Sequence, residues 1–519
     1  MNPRIVLAAL LHDIGKFSQR VDNRLRWRHE TFTQSFLRAF SSKLGPEADR
    51  ITAIAAQHHS QTSDREALIV KLADWLSSAE RRRERREKVA PEKTALLSLL
   101  SRVKLDRPLP PEGFYRVRPL EIDRESLFPT GSPILEDADY EKAWDEFAGA
   151  VAELEERETP LYTWQALLEI YASSIPAATP WSDEELKTVP DISLYDHSRT
   201  TAAIAACLCC FTEEELPAQL IKRMADDLSS GEMSSDLLSR PLFILLRGDL
   251  GGIQRWIYRI TRPEVEEFRT VAKRLRGRSF YVYLLNLMAG DWLVRQLGLP
   301  PVNLLYCGGG RFDALLPAKE GIEGELERLQ ERLDRFAFER FRGQLSVQMA
   351  WVEVTPLDFL DFGAVCRRAE EELIRSKRRR FRSLLSSPDF WEVDPLDSLC
   401  PSCHTAPVRG SGQICRFCSE QRRIGEKLPR AAFLVLASDE ARGALEEVEC
   451  AIDFGPLGTA ALLDEGEMAD LLERWDGRGR LRALKRNDPK GFLRPKADGP
   501  VERGVWFTSS LVPREGGET

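Results

Sequence analysis

Long hydrophobic runs are missing from this chain. No apolar stretch approaches the ~18 residues that a membrane-spanning helix needs, so the sequence predicts no contact with a membrane. The N-terminal stretch IVLAAL is short and runs directly into His12 and Asp13, which makes it a poor secretory signal. We therefore expect a cytoplasmic protein.

An excess of positive charge is missing as well. The formal net charge is −8 at pH 7, which argues against a protein that coats nucleic acid with its whole surface. Two local clusters are nevertheless basic, RRRERREK at 81–88 and RSKRRRFR at 375–382. Each is typical of a solvated helix face with interleaved charges, and each also offers local contacts to phosphate groups. The sequence leaves both interpretations open.

Cysteine occurs at an ordinary density, and four of its ten residues form an informative group. Cys400 and Cys403 make one C-x-x-C pair, and after eleven residues Cys415 and Cys418 make a second. This spacing is typical of two knuckles around a tetrahedral zinc ion, in which four ligands leave no open position. We predict a structural zinc site in a reducing compartment.

Histidine is scarce too, and four of the six histidines fall within the first 59 residues. His12 and Asp13 lie in the apolar stretch ALLHDIGKF at 9–17, where His12 and Lys16 would share one face of a helix and Asp13 would point about 100° away. Further predicted helices carry the other candidate ligands, which are His29, His58, His59 and Asp74. Mixed imidazole and carboxylate ligands suit Mn, Co, Ni, Fe or Zn, and two such ions can activate a water against a phosphodiester.

One later helix carries residues that we expect to be structural. HSRTTAAIAACLCCF at 197–211 is apolar, and its cysteines at 207, 209 and 210 are predicted to be small core residues. His197 is interpreted as a helix-start or core histidine.

Periodicity divides the chain into five regions of a multidomain α+β protein. Residues 1–100 are predicted to be all-α, 101–240 to be a helical connector region, and 241–365 to follow the order β-α-β-β-α-β. That order is ferredoxin-like and underlies nucleotide-polymerising palms. Residues 366–430 form a basic linker and the zinc insert, and 431–519 a mixed α/β tail.

Two phrases in the third region predict a phosphate site. In RGDLGGIQRWIY at 247–258, Asp249, Gly251 and Gly252 link a strand to a helix N-terminus, a natural position for a triphosphate. In NLLYCGGGRFDALLP at 303–317, the glycines 308–310 form a hairpin turn that lets a ligand approach the backbone. We interpret Asp249, Gly251, Gly252, Gly308, Gly309 and Gly310 as candidate nucleotide-binding residues.

Taken together, these motifs resemble the large subunit of type III CRISPR effector complexes, which pairs an HD nuclease domain with two palm domains. The resemblance covers most of residues 1–519 in order. It implies that residues 1–100 are an HD domain cutting single-stranded DNA, with His12, Asp13 and Lys16 catalytic and a metal set of His12, Asp13, His29, His58, His59 and Asp74. It also implies a complex with a guide RNA and other effector subunits, in which target RNA is the activator.

Two departures from that family matter. HD proteins usually carry a histidine before the His-Asp pair, whereas His12 is the first histidine here, and a circularly permuted domain would explain this. The palm hairpin reads Gly-Gly-Gly-Arg-Phe at 308–312 without the paired carboxylates of a G-G-D-D motif, so it matches the degenerate first palm. Asp249 and Asp313 alone do not recreate the two-metal site.

The sequence ends about where a second palm would begin. We therefore expect a fragment, a split subunit or a truncated variant that makes no cyclic oligoadenylate by itself. Its palm would contribute half of an ATP site to a second-palm chain supplied in trans.

Two alternatives to the nuclease stay open. In the first, the HD fold is a non-catalytic scaffold that docks partner subunits. In the second, the chain is a free-standing HD phosphohydrolase that acts on nucleotides.

Overall fold

A computed structural model describes residues 2–21, 28–81, 83–103, 111–131, 135–136, 138–231, 236–258, 268–391, 399–403, 406, 408, 414–497 and 499–508. The chain divides into two compact units. Unit 1 comprises residues 1–251 and 289–385, and unit 2 comprises residues 252–288 and 386–519.

Among the described residues, helices predominate up to Ser230, and the strands of the two larger sheets begin at Phe243. The helices are α1 (Pro3–Leu11), α2 (Gly15–Gln19), α3 (His29–Ala39), α4 (Ser41–Leu44), α5 (Ala48–Ala56), α6 (Arg65–Ser77), α7 (Arg124–Leu127), α8 (Asp139–Glu153), α9 (Leu161–Ala172), α10 (Leu194–Leu208), α11 (Ala218–Ser230), α12 (Ile253–Tyr258), α13 (Phe268–Gln296), α14 (Ile322–Phe341), α15 (Phe362–Lys377), α16 (Arg416–Lys427) and α17 (Glu465–Arg474). The strands are β1 (Arg83–Arg85), β2 (Leu186–Thr188), β3 (Phe243–Gly251), β4 (Leu304–Gly308), β5 (Arg311–Pro317), β6 (Ser346–Val354), β7 (Phe433–Ala437), β8 (Ala451–Asp453), β9 (Thr459–Leu463), β10 (Leu481–Arg486) and β11 (Glu502–Trp506).

Helix α1 is buried along almost its whole length because Ile5 to Leu11 all face the core of unit 1. The side chain of Asn2 caps its first turn by accepting a hydrogen bond from the Arg4 amide. The helix ends at Leu11, and a turn leads to α2. The expectation of one helix through Asp13 was therefore wrong: His12 caps α1, and Asp13 lies in the turn.

Gly15 explains why this turn can be so tight. A Cβ atom at Gly15 would lie 2.0 Å from the carbonyl oxygen of His29 and 2.5 Å from the Thr33 amide nitrogen. Only glycine permits the backbones of α2 and α3 to approach this closely. Thr33 then donates a hydrogen bond to the His12 carbonyl at 2.9 Å, which ties α3 to the same turn.

Helix α10 packs against α1 and α6, although it begins more than 110 residues after α6 ends. Most of its residues are buried, including His197 in its first turn. This packing carries residues from far along the chain to the ends of α1 and α6.

The described residues of the first basic cluster do not form a helix face, which is one of the two interpretations that the sequence leaves open. Helix α6 ends at Ser77, and Arg83–Arg85 forms β1, which pairs antiparallel with β2. A tertiary contact explains this strand, because β2 of the connector region pairs with β1 and the acidic residues beside β2 form ion pairs with the arginines.

Unit 1 also contains a four-stranded antiparallel sheet of order β4-β5-β3-β6. Strand β3 lies inside the sheet and is buried from Phe243 to Gly248, as its apolar sequence predicts. Gly248 is needed there, because a Cβ atom would lie 2.1 Å from the ring of Phe312. Gly309 and Gly310 have φ angles of 61° and 84°, so the β4–β5 turn requires glycine at both positions.

Unit 2 contains the five-stranded sheet β11-β10-β7-β9-β8 and the four-cysteine group. Helices α13 and α16 approach closely where glycines face a partner backbone. A Cβ atom on Gly277 would lie 1.8 Å from the Gln421 carbonyl oxygen, and one on Gly425 would lie 1.8 Å from that of Lys273. In the described residues of both units, we find no helix with the length and apolar character needed to cross a bilayer.

Candidate metal centre

The first group of candidate ligands comes from three places in the chain, which are the turn after α1, helix α6 and helix α10. One atom from each of His12, Asp13, Asp74 and His197 lies within 4.8 Å of the others, and all four residues are buried. Nε2 of His197 is 3.2 Å from Oδ2 of Asp13 and 3.1 Å from Oδ1 of Asp74. Nε2 of His12 is 3.4 Å and 3.7 Å from the same two oxygens.

The second group shares Asp13 and adds the three other N-terminal histidines. Atoms of Asp13, His29, His58 and His59 lie within 4.8 Å of one another. Nε2 of His29 is 3.1 Å, and Nε2 of His58 is 3.7 Å, from Oδ1 of Asp13. The two oxygens of Asp13 therefore face different groups, so this carboxylate would supply one ligand atom to each group.

Hydrogen bonds on the far side of each ring fix how the imidazoles point. Nδ1 of His12 lies 2.7 Å from the Ala9 carbonyl oxygen, and Nδ1 of His58 lies 2.6 Å from that of Ala55. A carbonyl accepts only from N–H, so in both neutral rings Nε2 is the unprotonated nitrogen. In its neutral form, which metal binding requires, each ring presents the Nε2 lone pair toward Asp13.

His197 is oriented by a hydroxyl group instead. Nδ1 of His197 is 3.0 Å from Oγ of Ser77, which in turn lies 2.8 Å from Oγ1 of Thr200. Ser77 is the last residue of α6 and Asp74 lies on the same helix, so one helix supplies both a candidate ligand and a partner for the His197 ring.

Charge and burial act against each other in this cluster. Burial lowers the pKa of His12, but the carboxylates of Asp13 and Asp74 outweigh burial and raise the pKa to about 9. Burial raises the pKa of Asp13, but His12 and Lys16 hold it well below its ordinary value. Burial lowers the pKa of His58 well below its ordinary value and also lowers that of His197, which favours neutral, ligating rings.

The residues present fit bound divalent metal. Within the described part of the chain, Nε2 of His12, Oδ1 of Asp13 and Nε2 of His197 are buried and form no hydrogen bond. They nevertheless lie at 3.1–3.4 Å from oxygens or nitrogens of the same cluster. Buried polar atoms that converge without bonding to one another are costly unless a further group satisfies them. A cation in each of the two groups would satisfy these atoms.

Sequence reasoning missed His197. It was predicted to be a helix-start or core residue; it lies in the first turn of α10 and is buried, but its Nε2 faces the two carboxylates. One signal was available, because the HD pattern expects one more histidine than the N-terminal helices supply. Lys16 lies beside the centre with its ammonium group paired to Asp13, so it contacts a candidate ligand directly.

The four cysteines of unit 2 form a separate group, and all four side chains are buried. Sγ of Cys400 is 3.9 Å from that of Cys418, and Sγ of Cys403 is 3.8 Å from that of Cys415. Tetrahedral zinc with Zn–S bonds of ~2.3 Å places its sulfurs about 3.8 Å apart. Cys415 also caps α16, where its sulfur accepts from the Cys418 amide. The group therefore has the dimensions of a zinc site.

The residues of the predicted nucleotide site already have structural roles within the protein. Asp249 pairs across the sheet with Arg311, and its Oδ1 is 2.7 Å from Nζ of Lys377. Asp313 accepts two hydrogen bonds from the Arg247 guanidinium at 2.7 and 2.8 Å. A Cβ atom on Gly251 would lie 2.6 Å from Oγ of Ser346, and Gly252 has a φ of 90°, so backbone geometry accounts for these glycines as well.

The helical fold and the paired ligand groups define an HD-domain protein. The model of the HD domain family matches residues 2–79, and the model of the Csm1 subunit domain B family matches residues 242–393. The chain belongs to the Cas10/Csm1 family, which provides the large subunit of type III-A CRISPR complexes.

Among curated proteins, the chain is similar to one from Methanocaldococcus jannaschii and one from Mycobacterium tuberculosis. Both are named CRISPR system single-strand-specific deoxyribonuclease Cas10/Csm1 (subtype III-A). The first is 31% identical over 72% of this chain and 50% of that protein, and the second is 25% identical over 78% and 54%. The chain thus spans about half the length of these relatives.

Solved structures show the same fold. A Csm1–Csm4 subcomplex of the type III-A CRISPR-Csm interference complex matches 98% of this chain and 60% of that chain, with a TM-score of 0.64 and 20% identity. A Csm1–Csm4 cassette in complex with cA4 matches 96% and 58%, with a TM-score of 0.62 and 20% identity.

Proposed function

We propose that this chain is a metal-dependent nuclease that cuts single-stranded DNA as the large subunit of a guide-RNA type III CRISPR complex. The observation that carries the proposal is the pair of ligand groups that share Asp13. The names of the curated relatives support the choice of substrate. We assign the metal ligands to His12, Asp13, His29, His58, His59 and Asp74 as the sequence predicts, and we add His197.

The chain's own residues have distinct parts in this proposal. Divalent ions held in the two groups would acidify a water and offset charge on the phosphodiester, which is the chemistry of two-metal nucleases. Asp13 holds the two groups together, while the carbonyls of Ala9 and Ala55 keep the rings of His12 and His58 aimed at it. Lys16 places a cation beside the centre for a phosphate oxygen.

We further propose manganese, cobalt, nickel or a similar ion for the HD centre and structural zinc for the four-cysteine group. The reason is ligand chemistry: imidazole with carboxylate suits such ions, and thiolates suit zinc. The domain boundaries that the sequence predicts stay proposals, and so does a cytoplasmic location.

The four-stranded sheet is proposed to be a ferredoxin-like first palm that has lost nucleotidyl transfer. Arg311 occupies the first position after the glycine turn, and the nearby carboxylates of Asp249 and Asp313 are already paired with Lys377 and Arg247. Cyclic oligoadenylate synthesis by this chain alone is therefore not expected. Half of an ATP site remains a proposal, supported by solved Csm1–Csm4 structures with ATP and cA4.

The experiment uses the full chain with manganese and labelled DNA. We expect degradation of single-stranded but not double-stranded DNA, and we expect the joint substitutions His12→Ala and Asp13→Ala to abolish it. Thermal unfolding of both proteins checks that the variant is folded.

The other functions predict different results. A scaffold predicts that wild type and variant are equally inert, both alone and in the assembled complex with guide and target RNA. A free-standing phosphohydrolase predicts release of phosphate from nucleotides with no cleavage of DNA. Either result would remove the nuclease proposal.

A further inference from the structure

The two basic clusters look alike in sequence but differ in their surroundings. Both place at least five cations within eight residues, at 81–88 and at 375–382. Most described cations of the first cluster form an ion pair with a carboxylate. Most cations of the second cluster form no such pair with the described residues.

The first cluster is largely neutralised inside unit 1. Arg83 pairs with Glu184 at 2.9 Å and Arg85 with Glu185 at 2.8 Å, across from β1 on the β2 side. Lys88 pairs with Asp183 at 2.5 Å, and Arg86 pairs with Glu112. Because each of these four cations already has an anionic partner, this surface has little net charge to offer a polyanion.

The second cluster is different. Arg378, Arg379, Arg380 and Arg382 are exposed at the end of α15 and in the turn that follows. In the ranges that the structure describes, none of these four guanidinium groups forms an ion pair with a carboxylate. Lys377, by contrast, is paired with Asp249. The four arginines therefore leave a local excess of about four positive charges on a chain whose net charge is negative.

Two anchors hold the arginines in a defined turn. Phe381 is 8% exposed, adopts a φ of 58°, and places its ring 6.2 Å from that of Phe338 on α14. Ser383 donates a hydrogen bond to Asp334 at 2.8 Å, also on α14. With Phe381 and Ser383 fixed to the helix, the arginines on either side of Phe381 project into solvent. Fixed display lowers the entropic cost of binding.

We propose that Arg378, Arg379, Arg380 and Arg382 form a binding surface for the phosphate backbone of a single nucleic acid strand. Arginine presents a planar fork of donors that matches phosphate, and consecutive arginines around a turn can contact successive phosphates. The proposal does not rest on cleavage at the HD centre, which lies elsewhere in unit 1.

The test measures binding rather than cleavage. The full chain is titrated in EDTA against a labelled oligonucleotide of about 20 nucleotides, longer than the site sizes of common single-strand binders. Parallel arms use RNA, DNA, ATP and poly-glutamate. One variant carries R378Q, R379Q and R380Q. Its matched control carries R83Q, R85Q and K88Q, which removes the same charge from the paired cluster, and a third variant carries R378K, R379K and R380K.

We expect the first variant to bind the preferred strand at least about tenfold more weakly than wild type. The slope of log K against log salt should become shallower by roughly 2, because each of three lost phosphate contacts on a single strand contributes ~0.7. The paired-cluster control should bind like wild type, and the lysine variant should keep most of the affinity. A preference for RNA or for DNA would identify the strand.

Three results would overturn the inference: equal losses in the two glutamine variants, no loss in the first variant, or equally tight binding of ATP or poly-glutamate at this surface. Because EDTA removes divalent metal, failure of the nuclease proposal and failure of this one are distinguishable. Circular dichroism and thermal unfolding confirm that each variant is folded before binding is compared.

Discussion

Replacement of His197 by alanine is the most direct test of the metal centre. His197 is far along the chain from the HD motif, but in space its Nε2 is 3.2 Å from Asp13 and 3.1 Å from Asp74. The substitution removes one of the four ligands of the first group and leaves the second group, centred on His29, His58 and His59, intact. The match to the HD domain family, which ends at residue 79, gives no reason to expect any effect.

The size of the effect follows from the ligand count. Loss of a partner that merely orients a ligand weakens metal binding by 10–100-fold. Loss of a direct ligand from a buried group of four should cost at least about 100-fold, or about 2.7 kcal/mol. The second group should keep its affinity, so a titration should change from two tight sites to one tight and one weak site.

Calorimetric titration of the metal-free chain with manganese measures this directly, alongside cleavage of single-stranded DNA. Added imidazole should partly restore binding by filling the space that the substitution leaves. If the His197→Ala variant binds two ions as tightly as wild type, His197 is a core residue and the four-ligand group is wrong. Thermal unfolding without metal is the control for loss of fold.

Three further predictions concern other positions. Ser77→Ala should weaken manganese binding by about 10–100-fold, because the His197 ring loses the hydroxyl that orients it; Ser77→Thr, which keeps the hydroxyl, should bind like wild type, and equal loss in both would contradict this. Cys415→Ser should abolish the one zinc expected in the four-cysteine group, measured by elemental analysis, and unchanged zinc content would exclude that site. Gly277→Ala should lower the free energy of unfolding by about 3 kcal/mol, because its Cβ would lie 1.8 Å from a carbonyl oxygen; Gly443→Ala, with open space around its Cβ, is the matched control in urea unfolding.

The sequence indicated most of the candidate ligands because chemistry restricts which residues can hold metal. Histidines that cluster early in a chain with few of them, and cysteines at C-x-x-C spacing, are typical of metal ligands and are hard to attribute to packing alone. The strands β3 to β6 and the glycine turn between β4 and β5 also lie where apolar runs and glycines predict them. These signals are local, so a single sequence contains them.

Other features depended on packing between distant segments. His197 became a candidate ligand only because α10 packs against α1 and α6. Asp13 bridges two groups because α1 ends at Leu11, and Gly15 lets α3 approach the turn.

By itself, the sequence determined the kinds of candidate ligand, the four-cysteine group and the apolar cores of the main elements. Only the tertiary structure decided which of two similar basic clusters is neutralised, because a run of arginines contains no information about the carboxylates that face it. Three of the four carboxylates come from residues 183–185, about a hundred positions away, and their Coulomb attraction acts through space rather than along the chain.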